Sequence, residues 1–453
     1  MKYRIVSLIV MVLSLFALFQ TSSAAVPAEE AAKLKTTLTP MGAEKAGNND
    51  GTIPAWEGGY TTMPAGYKSG DKRPDPFAGD NKLFSITAKN MDQYADKLAE
   101  GTKFLLQKYA DFRIDVYPAH RTAAAPQYVY DNTFQNATRA KTTNNGLSVE
   151  GAYGGIPFPI PKDGFEAMFN HLLAWQGEAS YEPFRLYLVT AAGKAILGVE
   201  AENYQQYPYY FKDVPMDKWN GDYWHFRQVQ TAPPFKAGET ILIRDPADMY
   251  GKGRQAWQYL TGQRRTRRAP TIAYDTPDFV SSGQQYFDEP FVFMGALDRY
   301  DWKLVGKKEI YIPYNCYKYY LAKDNDVLGQ QYVNPDYVRW ELHRVWVVEA
   351  TLASGKRHVI GRRVLYLDED SWRAVMADAY DGQGQLWRYT ISLPIALPEL
   401  PGVVPVSFGV YNLQTGSRTL CNLVNEMPVQ YQIKPRWPDT FFTPDALAGT
   451  GVR

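Results

Sequence analysis

Histidines are the first candidates for catalysis or metal binding in this sequence, and they are scattered along it. The chain contains no pair of histidines four residues apart, and none of the HExxH, G-x-S-x-G, P-loop or CxxC patterns. The five histidines are His120, His171, His225, His343 and His358. The sequence therefore predicts no catalytic residue, no metal site and no cofactor.

Acidic residues cluster at two places near the C-terminal end. Asp368-Glu369-Asp370 forms one group, and Asp378 with Asp381 forms the other. Carboxylate oxygens suit a hard cation, but neither group has the spacing of an EF-hand loop. We therefore predict solvated turns at both places.

The one dense basic run is Arg264-Arg265-Thr266-Arg267-Arg268. In a strand, alternate side chains point to opposite faces, so Arg264 and Arg268 would share a face. These two are predicted contacts for a lipid headgroup or an acidic partner. The alternative is a charged edge strand that discourages aggregation.

The chain has two cysteines, Cys316 and Cys421. In an oxidising compartment they can form a disulfide. Closing a loop of about a hundred residues would stabilise the fold by about 4–5 kcal/mol. Two separate buried thiols are the alternative, and spacing alone does not decide between them.

Residues 1–25 have the three parts of a cleavable secretory signal peptide. Lys2 and Arg4 supply the charge, an apolar stretch follows from Ile5 to Phe19, and small residues precede Val26. The apolar stretch is shorter than the roughly twenty residues that span a bilayer. With no cysteine at the cleavage point, the sequence predicts a soluble periplasmic protein and not a lipoprotein.

Charge gives no indication of a nucleic-acid partner. The full chain has 49 basic and 48 acidic residues, and the predicted signal peptide holds two of the basic ones. Aromatic residues make up 14% of the chain, which suits sheets and apolar ligand sites alike.

Residues 26–180 form a Pro- and Gly-rich region with a few helices. One helix is predicted over Met91 to Tyr109. Another begins after Asp163, where Glu166 completes a capping box. An apolar arc on the second helix comprises Phe165, Met168, Phe169, Leu172 and Trp175. Before it, Gly154 to Pro161 must be extended and lie outside a central strand, because three prolines lack an N–H group.

Residues 181–430 have the pattern of strands and tight turns. The clearest part runs from Val338 to Leu393, where strands at short spacing predict an antiparallel meander. Residues 431–453 are a C-terminal extension. No alternation of strands with helices suggests a doubly wound fold.

The sequence resembles domain-of-unknown-function family 1329 in several segments that follow one another along the mature chain. These are 38–44 with 48–56, Tyr117-Pro118-Ala119-His120-Arg121, 155–161, Asn170-His171-Leu172, 298–309 and 341–350. The resemblance implies similarity to outer-membrane lipoprotein-sorting proteins of the LolA/LolB type. The implied fold class is α+β, with a strongly curved antiparallel sheet that forms an incomplete β-barrel and helices that cover or plug its concave face.

The same resemblance implies a periplasmic carrier or chaperone for a lipid or another hydrophobic compound. Members accompany transporters of the resistance–nodulation–division (RND) type and a family 1302 outer-membrane protein, which are the expected partners. The predicted ligand-binding residues are Phe158, Phe165, Met168, Phe169, Leu172, Trp175 and Trp346. His120, Arg121 and His171 are predicted polar contacts for a headgroup or partner, although a hydrogen-bonded structural role also fits each histidine.

Two further functions stay open from the sequence. An exported hydrolase would use histidine and carboxylate groups in the same cavity, and an adaptor of an envelope transport complex would bind no ligand. A cavity with a histidine and two carboxylates favours the hydrolase, a filled barrel favours the adaptor, and an apolar cavity favours the carrier.

Overall fold

The computed structural model describes residues 25–270 and 272–450, without the side chains of 448–450. The predicted signal peptide, apart from Ala25, lies outside the described residues. Across the described ranges, no helix combines the length and the apolar character needed to cross a bilayer.

The helices are short. The α-helices are α1 (Ala28–Ala31), α2 (Glu100–Lys108), α3 (Gln127–Arg139), α4 (Gly164–Leu172), α5 (Tyr317–Leu321), α6 (Asp324–Leu328) and α7 (Pro444–Thr450). The 3₁₀ helices are Ala32–Lys35, Met91–Lys97, Pro208–Tyr210, Met216–Lys218, Leu297–Arg299, Pro335–Tyr337 and Asp439–Phe442.

The prediction of a single helix from Met91 to Tyr109 is wrong, because this segment forms two helices. Leu98 and Ala99 are extended between the 3₁₀ helix and α2. The carboxylate of Asp378 accepts the backbone N–H groups of Glu100 at 3.0 Å and Gly101 at 2.7 Å. A carboxylate at this position satisfies N–H groups that have no partner within a helix, so it starts a new one.

Strands make up most of the molecule. They are β1 (Phe84–Ile86), β2 (Ile114–Val116), β3 (Lys141–Thr143), β4 (Ser148–Glu150), β5 (Ala179–Val189), β6 (Ala195–Gln206), β7 (Asp222–Ala232), β8 (Thr240–Pro246), β9 (Gln255–Leu260), β10 (Arg265–Arg268), β11 (Tyr300–Pro313), β12 (Trp340–Leu352), β13 (Arg362–Asp368), β14 (Ala374–Tyr380), β15 (Leu386–Leu397), β16 (Gly402–Asn412), β17 (Arg418–Leu423) and β18 (Gln432–Ile433).

One large sheet contains every described strand except the β3–β4 hairpin. Its order is β1-β2-β12-β13-β14-β15-β16-β17-β5-β6-β7-β8-β9-β10, with β11 also paired to β12 and β18 to β5. Pairing is antiparallel except for one parallel contact between β2 and β12. The end strands β1 and β10 do not pair with each other, so the sheet is not closed into a barrel. Strands β1, β2 and β18 come from the predicted N-terminal region and C-terminal extension.

The sheet curves strongly around residues 272–296, which we call the covering segment. Asp288 bonds to Arg363 on β13, while the adjacent Phe287 lines a cavity with Ile241 of β8. Seven strands lie between β13 and β8. In a flat sheet that separation would be about 38 Å. Neighbouring residues reach both strands only because the sheet curls, so the predicted α+β fold with an incomplete barrel is confirmed.

Candidate functional site

An apolar cavity lies between the concave face of the sheet and the covering segment. The sheet contributes Phe184, Phe226 and Ile243, and the covering segment contributes Phe287 and Phe291. The volume is about 50 Å³. Polar residues also contribute to the lining, among them Asn203, Gln228 and the carboxyl-bearing Asp278. The lining can therefore hold an apolar group and offers a few hydrogen-bonding groups beside it.

A second cavity of about 40 Å³ adjoins the first. Phe291 and Met294 line both cavities and so separate them. The second is more polar, since His171, Gln205 and Arg373 face it. Together the two cavities form one divided space that is apolar at one end and polar at the other.

The divided space is too small for an extended acyl chain in this arrangement. A cavity volume of about 10–15 Å³ corresponds to about one water molecule, so each of the two cavities has room for a few water molecules. A chain-like ligand would have to displace Phe291 and Met294. Both of these residues belong to the covering segment.

Buried ion pairs hold the covering segment to the sheet. Asp288 accepts from Arg363 at 2.6 Å and lies 3.0 Å from His358 Nε2. Burial opposes the ionised carboxylate, but the charge of Arg363 and the contact with His358 lower the pKa of Asp288 to about 2. Glu289 pairs in the same way with Arg388 on β15. Such pairs fix the segment firmly while they are intact, because a lone buried charge is costly.

Helix α4 begins as the sequence predicts. The Asp163 carboxylate accepts the N–H of Glu166 at 2.9 Å, and the Glu166 carboxylate accepts the N–H of Lys162 at 2.7 Å. These two bonds satisfy N–H groups at the helix start. The helix packs against β11 and β12, with Gly164 close to the backbone of Trp302.

His171 on α4 joins three parts of the molecule. Its Nδ1 accepts the N–H of Ala374 at 3.0 Å, and its Nε2 donates to the carbonyl of Phe293 at 2.9 Å. Burial, with the charge of Arg373 adding to it, lowers the pKa of His171 to about 3. The ring is therefore neutral and links α4 to the sheet and to the covering segment.

A family model described as "Protein of unknown function (DUF1329)" matches residues 85–448, well over half of the chain. The chain belongs to this family. The family expected from the sequence is thereby confirmed.

One relative and two solved structures illustrate what this chain is similar to. An uncharacterized protein of Pseudomonas aeruginosa is 39% identical over 98% of both chains. A lipoprotein-sorting protein domain from Vibrio parahaemolyticus is similar with 14% identity and a TM-score of 0.43 over 61% of this chain and 94% of that one. A DUF1329 protein from Desulfovibrio piger is similar with 18% identity and a TM-score of 0.40 over 60% and 92%.

In this DUF1329 protein, the apolar residues predicted to bind ligand are mostly packed inside. Met168 and Phe169 are fully buried, and Phe158 and Trp175 are buried to within a few per cent of exposure. Phe165 is half-buried against the same core. Leu172 lines the second cavity. Of this set, Leu172 has the clearest access to a ligand in the two adjoining cavities.

Trp346 lies elsewhere on the sheet. Its ring stacks on Trp372 with centroids 6.0 Å apart, and the Lys307 ammonium lies 4.9 Å from its centroid. Its predicted role in ligand binding stays a prediction.

His120 and Arg121 lie in a separate charged cluster under the N-terminal region. His120 contacts Asp80 at 2.8 Å, and Arg121 forms two hydrogen bonds to Asp370, at 2.8 and 2.6 Å. The predicted solvated turn at Asp368-Glu369-Asp370 is wrong, since all three residues are buried. Cations from distant parts of the chain make that burial tolerable.

His343 is the centre of this cluster and was not singled out from the sequence. It lies 3.1 Å from Glu341 and 3.5 Å from Asp368. Burial opposes the charged imidazolium, but the two carboxylates outweigh it and raise the pKa of His343 to about 9. The ring is therefore a cation at neutral pH, held between two anions.

The same cluster has the composition of a metal site, and cationic side chains of the protein already contact it. Ligand atoms of His343, Asp368 and Asp370 lie within 4.8 Å of one another. A metal ion bound here would have to displace the proton that Glu341 and Asp368 favour on His343. Arg121 already occupies both oxygens of Asp370. The protein's own cations take the place that a metal ion would have.

The basic run lies on the edge strand β10, which pairs with β9. Arg268 is in the strand, but Arg264 is in the preceding turn with a φ of 50°. Both are exposed. The prediction that Arg264 and Arg268 share one face of a strand is wrong, because Arg264 lies outside the strand. The position of β10 at the end of the sheet fits the alternative of a charged edge strand.

Cys316 and Cys421 are two buried free thiols and do not form the possible disulfide. Cys316 donates to the carbonyl of Arg339, and Cys421 donates to the side chain of Gln285 in the covering segment. Burial raises the pKa of both thiols, which keeps them protonated and inert.

Sequence reasoning missed the covering segment and Arg373. The segment has no helical or strand period, so no pattern marked it. A weak signal was present in Phe287, Phe291 and Phe293, which are apolar residues in a turn-rich stretch.

Proposed function

We propose that this chain is a non-enzymatic periplasmic carrier or chaperone for a lipid or a similarly hydrophobic compound. The observation that supports this most directly is the divided cavity between the concave sheet and the covering segment. A ligand would enter between them and exchange water for the apolar lining formed by residues such as Phe184 and Phe226.

The energetics favour a ligand with a long apolar part. Burial of apolar surface contributes about 25 cal/mol per Å², so several hundred Å² suffice for micromolar affinity after ordering costs. The ligand must also replace the contacts that Phe291 makes, including its ring contact with Phe408 at 5.3 Å between centroids. Binding and movement of the covering segment are therefore coupled.

Location and partners belong to the same proposal. The signal-peptide pattern in residues 1–25 supports export to the periplasm. The resemblance stated above supports work with an RND-type transporter and a family 1302 outer-membrane protein. In such an arrangement the carrier would move a hydrophobic compound across the aqueous space between two membranes.

An adaptor that binds no ligand is the second candidate. The small volume of both cavities favours it, because a filled interior needs no cargo. The hydrolase has less support. His343 is buried and protonated beside the carboxylates of Glu341 and Asp368. None of these three residues lines either cavity.

The deciding experiment measures ligand directly. Protein purified from the periplasm is analysed by native mass spectrometry and lipid extraction, then delipidated and titrated with a fluorescent fatty acid. We expect a bound amphiphile and micromolar rebinding. Well-folded, delipidated protein that binds no amphiphile of any chain length would leave the adaptor as the better proposal.

A cavity-filling variant adds a structural test. Val280 lines the first cavity from the covering segment and is 4% exposed. Val280→Phe should occupy space needed by the ligand and weaken binding. Phe235→Ala is the control, because Phe235 is 76% exposed and away from both linings. Thermal melting of both variants separates lost binding from lost folding.

A further inference from the structure

Arg373 is a buried cation at the polar end of the divided cavity. It directly precedes β14, lines the second cavity and is 5% exposed. Its guanidinium donates to the carbonyl oxygens of His171 at 3.4 Å and Ala174 at 2.9 Å. Its Nε atom has no hydrogen-bond partner. Two neutral acceptors leave its positive charge without compensation.

No carboxylate within residues 25–270 and 272–450 forms an ion pair with Arg373. Other buried arginines around the covering segment do have such a partner. These pairs are Arg254 with Asp245, Arg363 with Asp288 and Arg388 with Glu289. A buried charge without a counter-charge is costly, and buried charges in proteins are usually paired. Arg373 is therefore the exception in this region.

The groups that act most strongly on the guanidinium are phenols, and the buried carboxylates beyond them have other partners: Glu182 accepts from the amides of Asn203 and Gln205, and Asp245 pairs with Arg254. Tyr207, Tyr210, Tyr223 and Tyr431 lie near the guanidinium, and burial raises the pKa of each phenol, so none supplies an anion. Burial also lowers the pKa of Arg373 itself. Arg373 therefore keeps an unused donor at Nε and has no side-chain anion bonded to it among the described residues.

We propose that Arg373 binds the anionic headgroup of an amphiphile whose apolar chain occupies the adjoining cavity. The inference rests on the carrier function proposed above. The shared chemistry is a carboxylate or phosphate oxygen, which accepts charge-assisted hydrogen bonds from the free Nε and the adjacent guanidinium nitrogens. The chain would pass the position of Phe291 and Met294 to reach the apolar lining.

This arrangement would also orient the ligand. The polar cavity takes the head and the apolar cavity takes the tail, so one orientation satisfies both. A neutral ligand of the same length would leave Arg373 unpaired and would bind more weakly. Selectivity for anionic amphiphiles is therefore the measurable consequence.

The experiment compares ligands of one chain length on the delipidated full chain. Hexadecanoate, hexadecyl phosphate and hexadecanol compete with a fluorescent fatty acid. We expect at least one anionic ligand to compete at about tenfold lower concentration than the alcohol, since a charge-assisted bond is worth that much. The two anionic ligands distinguish a carboxylate site from a phosphate site.

Variants at Arg373 complete the test. Arg373→Gln should remove the difference between acid and alcohol, and Arg373→Lys should keep part of it. Equal competition by acid and alcohol on the native chain would overturn this inference and leave the carrier function intact. If no ligand binds, both fail. If Arg373→Gln does not fold, the comparison of ligands on the native chain still decides.

Discussion

Arg363 on β13 donates to Asp288 in the covering segment at 2.6 Å, and this ion pair joins the segment to the concave sheet. Both side chains are 3% exposed. His358 shares the same carboxylate oxygen. Since the cavities lie under this segment, we expect the pair to oppose any release of the segment from the sheet.

Loss of this pair should release the covering segment. Asp288→Ala leaves Arg363 and His358 without their anion, which we expect to cost about 3–5 kcal/mol of stability. Limited proteolysis should cut faster within residues 272–296, and a fluorescent fatty acid should bind faster. Asp217→Ala, at an exposed position away from the covering segment, is the control. Unchanged proteolysis and stability in Asp288→Ala would show that the pair does not hold the segment.

The charged cluster around His343 should make stability depend on pH. Asp368 and Glu341 raise the pKa of His343 from 6.5 to about 9. The contribution of protonated His343 to stability is therefore complete below pH 6.5 and is lost as the pH rises through 9. The free energy of unfolding should fall by about 3 kcal/mol over this range. Urea unfolding between pH 6 and 10 measures it.

His343→Gln is the matched variant for that series. Its free energy of unfolding should fall much less between pH 6.5 and 9 than that of the native chain. The pH dependence that arises from other groups should be unchanged. A native-like decline in the variant would assign the pH dependence to other groups.

Phe169 should behave as a core residue. It is fully buried on α4, so Phe169→Ala should cost about 3–5 kcal/mol by leaving a cavity. Leu172→Ala removes a lining residue of the second cavity and should weaken fatty-acid binding more than its loss of stability explains. Chemical denaturation and ligand titration of both variants give the two quantities. Equal binding defects would place both residues in the ligand site.

Both cysteines should be free thiols. Denaturation without reductant, followed by alkylation and mass analysis, should add two alkyl groups, because Cys316 and Cys421 have separate partners. A mass two hydrogens lower, with no alkylation, would indicate that the two had paired during export.

The mature chain should begin at Ala25 or Val26. The backbone N–H of Val26 donates to the carbonyl of Ala137 at 3.0 Å, so the first residues after the predicted cleavage site are bonded to the end of α3. N-terminal sequencing of the protein purified from its host cells tests this. A chain that begins at Met1 and sediments with membranes would indicate an anchored protein.

The sequence by itself determined the local elements. Asp163 and Glu166 mark the start of α4, because capping involves groups only three residues apart. The meander of β12 to β15 follows from alternating side chains and from turns such as Gly355 and Gly384, whose φ values of 76° and 78° suit glycine. The family could also be recognised from the sequence, because the resemblance depends on short strings of consecutive residues.

The tertiary structure alone decided which distant residues meet. Asp378 interrupts the predicted helix by bonding to Glu100 and Gly101, which lie 278 and 277 positions earlier in the sequence. Arg121 compensates the buried charge of Asp370, which lies 249 positions later. The covering segment and Arg373 join the site for the same reason. Sequence periodicity reports contacts within a few residues, whereas burial of a charge depends on partners that the curvature of the whole sheet brings together.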